Sequence, residues 1–168
     1  MKSADILEDA FQRVRDSVHP AVNGLSREEL GFRPEGESNS IAWLVWHLTR
    51  IQDDHVAGLD GQDQVWTTKG WADRFALPVA VTDTGYGHGP DQVAAISADA
   101  SELLGYYEDV HEKTLAFVRG LGDSDLSRVV DRNWDPPVTV AVRLVSVIAD
   151  DLEHAGQAAY VRGLLQRR

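Results

Sequence analysis

The sequence predicts an all-α protein, a four-helix bundle with one long crossover connection between its second and third helices. Three observations favour this fold class. Four segments repeat apolar residues at intervals of three and four positions, which is the period of an amphipathic helix. No segment of strand length alternates apolar and polar residues convincingly. The chain has 168 residues, of which 43% are hydrophobic, so we expect one core and a single domain over residues 1–168.

The composition excludes several classes of function. A net charge of −11 disfavours binding to the phosphates of nucleic acid. No apolar run approaches the roughly 18–20 residues of a membrane span, and the first residues lack a signal-peptide pattern. We therefore expect a cytoplasmic protein without nucleic-acid or membrane partners. The chain has no cysteine, which rules out disulfides, thiolate ligands and a cysteine nucleophile.

The first two helices are predicted from apolar stripes and from their flanking residues. The first covers about residues 3–22, and Pro20 should stop or kink it near its end. The second follows the capping residues Ser38 and Asn39, and Gly58 with the following "LDGQD" should end it. Its sequence, "SNSIAWLVWHLTRIQDDHVAGL", reads as buried core except for one histidine in its middle.

The remaining helices follow a long connection. The third is predicted from about Pro90 to Arg119, because proline suits a first helical turn. The fourth begins near Thr139 and runs almost to the end of the chain. Residues 60–90 are longer than the usual links of a bundle, so they form either a packed crossover or a functional lid. The alternative is a mixed fold with a hairpin there, because "LPVAVTDTG" could form a short strand.

The central histidine of the second helix, His47, and a pair in the fourth helix predict a metal site. Asp150 and His154 are spaced i, i+4, which places their Cβ atoms about 5–6 Å apart on one helix face. If the two helices are neighbours, the three side chains converge. Two imidazoles and one carboxylate suit a first-row divalent ion with positions left open for water and substrate. The competing interpretation is a hydrogen-bonded core histidine and an ordinary surface helix pair.

Other polar residues are further candidates for this site. Asp151 lies i, i+3 from His154, so it could replace Asp150 as a ligand or lie behind the ligands. Asp54 lies two turns beyond the histidine of the second helix, and either carboxylate could act as a catalytic base. His111 lies on the apolar stripe of the third helix, as a core residue or an additional ligand. His88, in the glycine-rich "TGYGHGP", is expected to be solvated.

The stretches "WLVWHLTRIQDDH" and "DDLEHAGQAAYVRG" resemble the DinB-like superfamily of four-helix metalloproteins. The resemblance is closest to its DUF664-type branch and to the N-terminal domain of mycothiol-dependent maleylpyruvate isomerase. "GWADRFALP" and "TGYGHGP" are similar to the family's long connection, so the resemblance covers essentially the whole chain. It implies a divalent metal (zinc, nickel, manganese or iron) with His47, Asp150 and His154 as ligands. An aspartate at 150, where relatives carry His or Glu, is a departure that bears on metal identity and affinity.

The resemblance also implies a function. Characterised relatives are thiol-dependent enzymes that use mycothiol, bacillithiol or glutathione. A similar protein would be an S-transferase or isomerase for a small-molecule substrate, in which the metal activates the thiol of a cosubstrate. Arg74 would then bind an anionic group of that cosubstrate. Two alternatives remain: a metal-dependent hydrolase, and a non-catalytic metal- or ligand-binding bundle, for instance a homodimer that packs exposed helix faces.

Overall fold

The computed structural model of the protein describes residues 2–168 and is dominated by four long helices. Five short helices and one two-stranded hairpin occupy the connections. In chain order the elements are α1 (Ser3–Val22), α2 (Arg27–Leu30), α3 (Ile41–Asp60), α4 (Val65–Thr68), α5 (Trp71–Phe75), α6 (Pro90–Ala95), α7 (Ala100–Arg119), α8 (Asp123–Leu126), β1 (Val129–Asp131), β2 (Val138–Thr139) and α9 (Val140–Leu165). None of these helices combines the length and the hydropathy that crossing a lipid bilayer requires.

The long helices α1, α3, α7 and α9 form the bundle, so the predicted all-α fold class is confirmed. Helix α9 packs against both α1 and α3, and α7 packs against the same two helices from the other side. The connection between α3 and α7 is the long one, as predicted. Helix α3 is the most buried of the four, and every residue from 41 to 50 is buried. This burial makes the polar residues of α3 the first place to look for chemistry.

Helix α3 begins slightly later than the sequence predicts. The hydroxyl of Ser40 accepts a hydrogen bond from the backbone N–H of Trp43 at 3.1 Å, so Ser40 rather than Ser38 or Asn39 is the N-cap. The helix ends at Asp60, within the predicted stretch, and its C-cap Gly61 adopts the left-handed conformation with φ of 69°. The two caps therefore define the ends of α3.

The third predicted helix is not continuous over residues 90–119. Helices α6 and α7 are separated by residues 96–99, and Ile96 has an extended backbone with ψ of 104°. Asp99 starts α7 in a capping box, because its backbone N–H donates to the Glu102 carboxylate at 2.7 Å. The Asp99 carboxylate also pairs with Arg27 at 2.7 Å, which ties the break to α2. The prediction of one continuous helix is therefore wrong, because α7 starts anew at the capping residue Asp99.

The connection between α3 and α6 is a packed crossover without strands. Trp66, Trp71 and Phe75 are buried in the main apolar cluster. The alternative of a hairpin in residues 60–90 is wrong; the one antiparallel pair among residues 2–168 is β1 with β2, before α9. Two backbone carbonyls of the "LPVAVTDTG" segment, those of Val81 and Asp83, bond to a buried arginine rather than to a neighbouring strand.

That arginine and a nearby aspartate fasten the connection to α3. The Arg50 guanidinium is fully buried and donates to the carbonyls of Asp83 at 3.1 Å and Val81 at 3.4 Å. The Asp53 carboxylate accepts from the first two backbone N–H groups of α4, at 2.9 and 2.8 Å, and from the Tyr106 hydroxyl at 2.9 Å. Arg50 and Asp53 lie 3.9 Å apart, so each buried charge has a partner of opposite sign.

The apolar core consists of two clusters at opposite ends of the bundle. On α3, α7 and α9 the residues between the clusters are buried and polar. Gln52 donates to the hydroxyl of Thr114 at 2.7 Å, and Asp151 lies at the corresponding level of α9. A polar layer therefore crosses the middle of the bundle, and the metal-site candidates lie next to it on α3 and α9.

Candidate metal centre

Three of the residues singled out in the sequence come together between α3 and α9. One ring nitrogen of His47, one of His154 and one carboxylate oxygen of Asp150 all lie within 4.8 Å of one another. His154 Nε2 is 3.8 Å from Asp150 Oδ1, as expected for an i, i+4 pair. His47 comes from the facing helix, so the cluster forms only when α3 and α9 pack together. Residues more than one hundred positions apart in the chain thus share one small volume.

A tryptophan one turn before His47 holds both imidazoles in place. The Trp43 indole stacks on the His47 ring with a centroid distance of 4.6 Å and an angle of 15° between the planes. The same indole lies 6.1 Å from the His154 ring, and the two imidazoles are 4.9 Å apart. These contacts restrict ring rotation and cover one side of the cluster with apolar surface. The sequence shows the spacing of Trp43 and His47, but not this role.

The long connection determines which nitrogen of His47 is free. His47 Nδ1 is hydrogen-bonded to the backbone carbonyl of Thr84, and because a carbonyl can only accept, Nδ1 carries the proton. Nε2 therefore keeps its lone pair, the arrangement typical of a metal-ligating histidine. Gly85 makes this approach feasible. Its φ is +88°, and a Cβ atom there would lie 2.8 Å from His47 Nδ1.

His88 supports the loop that contains Thr84 and Gly85. It is not solvated, contrary to the expectation from its glycine-rich surroundings. Its side chain is only 3% exposed. The Trp43 indole N–H donates to His88 Nδ1 at 3.1 Å, which leaves the His88 proton on Nε2, where it donates to the Asp83 carboxylate at 2.9 Å. Asp83 also accepts from the backbone N–H of Gly85 at 2.7 Å. Hydrogen bonds thus connect the loop that orients His47 to the indole that stacks on it.

The atoms of the cluster fit a bound cation. Asp150 Oδ2 and His154 Nδ1 are buried, and neither has a hydrogen-bond partner among residues 2–168. Leaving such groups unpaired costs on the order of 1–3 kcal/mol each, and a cation would offset this cost at whichever of the two atoms it contacts. Burial lowers the pKa of His47, against the opposing effect of its hydrogen bond to Thr84, so the ring favours the neutral form that binds metals. Two imidazoles and a carboxylate suit a first-row divalent ion.

The two carboxylates considered as alternative ligands or bases do not belong to the cluster. Asp54 accepts a hydrogen bond from the Gln64 side chain at 2.7 Å and is half exposed at the far end of α3. Asp151 is completely buried on the side of α9 that faces the bundle interior. Burial raises the pKa of Asp151 well above its usual range, with a further contribution from the charge of Asp150.

His111 and Arg74 also lie outside the cluster. His111 is buried on α7, where its ring stacks on Tyr107 at 5.9 Å, and burial lowers the pKa of its imidazole. Arg74 is exposed on α5 and stacks its guanidinium on the Trp71 indole, 4.5 Å from the ring centroid. His111 is therefore a core residue of the polar layer. Arg74 makes a surface cation–π contact in the crossover.

A cavity of about 710 Å³ lies near the cluster, although none of the three cluster residues lines it. Its walls come from Leu44 on α3, from Gln157 and Tyr160 on α9, and from residues 34–39. Leu44 precedes His47 by three positions and Gln157 follows His154 by three, so the cavity begins about one helical turn from each histidine. The side chains of Asp150 and His154 are 37% and 17% exposed, so the cluster is accessible to solvent. The arrangement offers a binding space for a small molecule near a metal-binding set of side chains.

Comparisons with known proteins agree with this architecture. The family model described as the DinB superfamily matches residues 10–158. A crystal structure of a conserved protein from Enterococcus faecalis superposes with a TM-score of 0.93 at 30% sequence identity, over 100% of this chain and 99% of that chain. No curated protein matches the chain significantly.

Proposed function

The chain belongs to the DinB superfamily, whose members typically bind a divalent metal, and from this premise we propose that it is a metal-dependent enzyme. The proposed ligands are His47, Asp150 and His154. The observation that carries the proposal is the convergence of these three donors, two of which have buried atoms without partners within residues 2–168. We further propose that the protein uses a low-molecular-weight thiol of the mycothiol type, as an S-transferase or isomerase acting on a small molecule.

A divalent ion in this centre would supply Lewis acidity, which lowers the pKa of a coordinated thiol. The chain has no cysteine, so the sulfur of a thiol-dependent reaction must arrive with the cosubstrate. The cavity near the cluster has room for the rest of such a molecule. The proposal includes a cytoplasmic location, where small thiols are kept reduced.

The side chains around the centre have distinct roles in this proposal. His47 is held in one tautomer by Thr84, so its Nε2 is ready to ligate without reorientation. Asp150 contributes the single negative charge of the donor set, so a divalent ion there would keep a net positive charge. That charge favours an anionic sulfur over neutral water. Trp43 covers one side of the imidazoles and limits the access of water from that direction.

Thiol chemistry is favoured over hydrolysis by the surroundings of the cluster. A metal-dependent hydrolase commonly uses a nearby carboxylate or imidazole as a general base. Within residues 2–168, the cluster contains no such group beyond the three proposed ligands. Asp54 is engaged with Gln64, and Asp151 faces the bundle interior. Activation of a thiol needs no separate base of this kind once the pKa of the thiol is low.

The first experiment is elemental analysis of the protein purified without a polyhistidine tag. We expect one divalent ion per chain in the wild type and its loss in His47→Ala, Asp150→Ala and His154→Ala. His55→Ala, a half-buried histidine on the same helix, is the control and should retain the ion. A wild-type protein that takes up none of zinc, nickel, manganese or iron contradicts the metal centre.

The second experiment tests the thiol. The metal-loaded protein is incubated with monochlorobimane and, separately, mycothiol, bacillithiol or glutathione, and conjugate formation is followed by fluorescence. We expect acceleration with at least one thiol, and none with the His47→Ala protein. A metal-loaded protein that is inactive with all three thiols contradicts the thiol-dependent part of the proposal and leaves the metal centre intact.

A further inference from the structure

Helix α9 carries an apolar surface on the side that faces away from the bundle. We define the α9 stripe as the exposed residues Val142, Val145, Ala149, Leu152, Gly156 and Ala159, bordered by Tyr160. Nine large hydrophobic residues are exposed within residues 2–168, and four of them, Val142, Val145, Leu152 and Tyr160, belong to this one surface. Exposed hydrophobic residues are usually scattered, so this concentration indicates a binding surface.

The spacing of the α9 stripe is that of a helix that packs on another helix. Its residues are separated by three, four, three, four and three positions, an average of 3.4, over a length of about 26 Å. The opposite side of α9 already provides the core contacts through Leu144, Val147 and Ala155. The stripe is therefore not needed to build the bundle, and a second helix-packing surface remains on the same helix.

We propose that the α9 stripe is the interface of a homodimer in which two copies of α9 pack antiparallel around a two-fold axis. The axis passes between positions 150 and 151. In this register every large stripe residue faces a small one of the partner: Val142 faces Ala159, Val145 faces Gly156, and Leu152 faces Ala149. Large side chains opposite small ones fill an interface without voids.

A parallel pair would not pack in this way. Each residue would then face its own copy, so Leu152 would meet Leu152 of the partner subunit while Gly156 would meet Gly156 of the partner subunit. The result is crowding at one level and a gap at the next. The antiparallel arrangement is also a closed, isologous contact, which ends at two subunits rather than continuing into a filament.

The chemistry around the stripe favours a second copy of this chain over a membrane surface. Amphipathic helices that bind anionic lipids border their apolar face with lysine and arginine. The exposed residues that border this stripe are Ser146, Glu153 and Gln157, and the chain has a net charge of −11. The stripe itself contains no charged residue. Two acidic molecules can therefore meet there with less electrostatic repulsion than on the rest of their surfaces.

The interface does not include the proposed metal ligands, but it shares Gly156 and Tyr160 with the wall of the cavity near them. Asp150 and His154 point toward α3, whereas the stripe lies on a different side of α9. A contact between two single helices buries less than the about 800 Å² per partner of a standard interface, unless neighbouring residues join it. We therefore expect a dimer that dissociates on dilution.

The test is sedimentation velocity over a concentration series from low micromolar to near millimolar. We expect a monomer–dimer equilibrium for the wild type and a dimer weakened at least about tenfold in Leu152→Arg, because a charge would be buried at the centre of the contact. Val81→Arg, at an exposed hydrophobic position in the crossover, is the matched control and should dimerise normally. A wild-type monomer at every concentration, or a Leu152→Arg dimer of unchanged strength, overturns the proposal.

Cross-linking tests the direction of the helices, since the chain has no cysteine of its own. The variants Val145→Cys and Gly156→Cys are oxidised separately and as a mixture, and circular dichroism verifies that both are folded. We expect a disulfide-linked dimer mainly in the mixture, because positions 145 and 156 face each other only in the antiparallel register. Efficient cross-linking of each variant with itself would overturn the antiparallel arrangement.

Discussion

Asp150 and Asp151 are neighbours in the chain and point into opposite surroundings. Asp150 joins two histidines between α3 and α9 and is about one-third exposed. Asp151 is fully buried in the polar layer, and neither of its oxygens has a hydrogen-bond partner in the described part of the chain. One helix thus presents one carboxyl group to a candidate metal centre and the next to the interior of the bundle.

Replacement of Asp151 by valine should stabilise the protein. The change removes two buried oxygens without partners, so we expect the free energy of unfolding to rise by about 1–3 kcal/mol. Urea denaturation of the metal-free protein at neutral pH measures it. Asp150→Val is the comparison: it should change stability less but abolish metal binding. Easier unfolding of Asp151→Val than of the wild type would show that this carboxyl group has a stabilising partner, such as buried water.

Replacement of Gly85 by alanine should weaken metal binding. A Cβ atom there would lie 2.8 Å from His47 Nδ1 and 3.0 Å from the Trp46 ring, so the loop or the imidazole must move. Loss of a hydrogen bond that orients a ligand typically lowers metal affinity 10–100-fold. Competition with a chromogenic chelator measures the affinity.

Gly87→Ala is the matched control for this prediction. Gly87 also has a positive φ, +78°, but open space surrounds the position of its Cβ atom. Both variants pay the same kind of backbone strain, and only Gly85→Ala disturbs His47. Equal metal affinities in the two variants would contradict a role for Gly85 in positioning the ligand.

Apolar periodicity predicts most of the bundle because α1, α3 and α9 each bury residues at helical spacing over twenty or more positions. It fails at residues 96–99. Ile96 and Ala98 are buried there, so their apolar character resembles that of a helix although the backbone is extended. The capping pair Asp99 and Glu102 is the sequence signal that could have located the break. Spacing alone does not distinguish a buried helix from a buried kink.

The candidate site is also only partly predictable from the sequence. Its side chains can be identified there, but its backbone contacts cannot. His47, Asp150 and His154 can be singled out because their residue types and spacing suit metal binding. The carbonyl of Thr84 cannot, because every residue has a carbonyl and only the folded chain shows which one faces an imidazole. The role of Arg50 in holding the crossover was not predicted for a related reason. An arginine within an apolar helix does not reveal which backbone carbonyls will accept its hydrogen bonds.

Asp53 should be essential for stability, whereas its neighbour Asp54 should not. Replacement of Asp53 by alanine removes the acceptor of three hydrogen bonds and leaves the buried Arg50 without its opposite charge. Breaking a buried pair in this way costs about 3–5 kcal/mol. Asp54→Ala loses one hydrogen bond at a half-exposed position and should cost much less. Thermal unfolding of both variants checks the difference, and similar melting temperatures would contradict it.

Acidification should destabilise the metal-free protein, partly through His111. Burial lowers the pKa of His111, so below the unfolded pKa of about 6.5 the unfolded chain binds more protons than the folded one. The free energy of unfolding therefore falls as the pH drops below that value. His111→Leu should reduce this dependence between pH 7 and pH 5, as measured by urea denaturation at several pH values. An unchanged slope would show that His111 does not contribute.

The distance in sequence between the proposed ligands has a consequence for how the protein would acquire a metal. His47 leaves the ribosome long before Asp150 and His154, and its orienting carbonyl at Thr84 also precedes α9. A nascent chain that ends before α9 has only one of the three donors, so it has little means to capture an ion during synthesis. With the proposed ligands, metal uptake would be confined to the completed chain, and the folded protein would select the ion rather than whichever cation meets the growing polypeptide first.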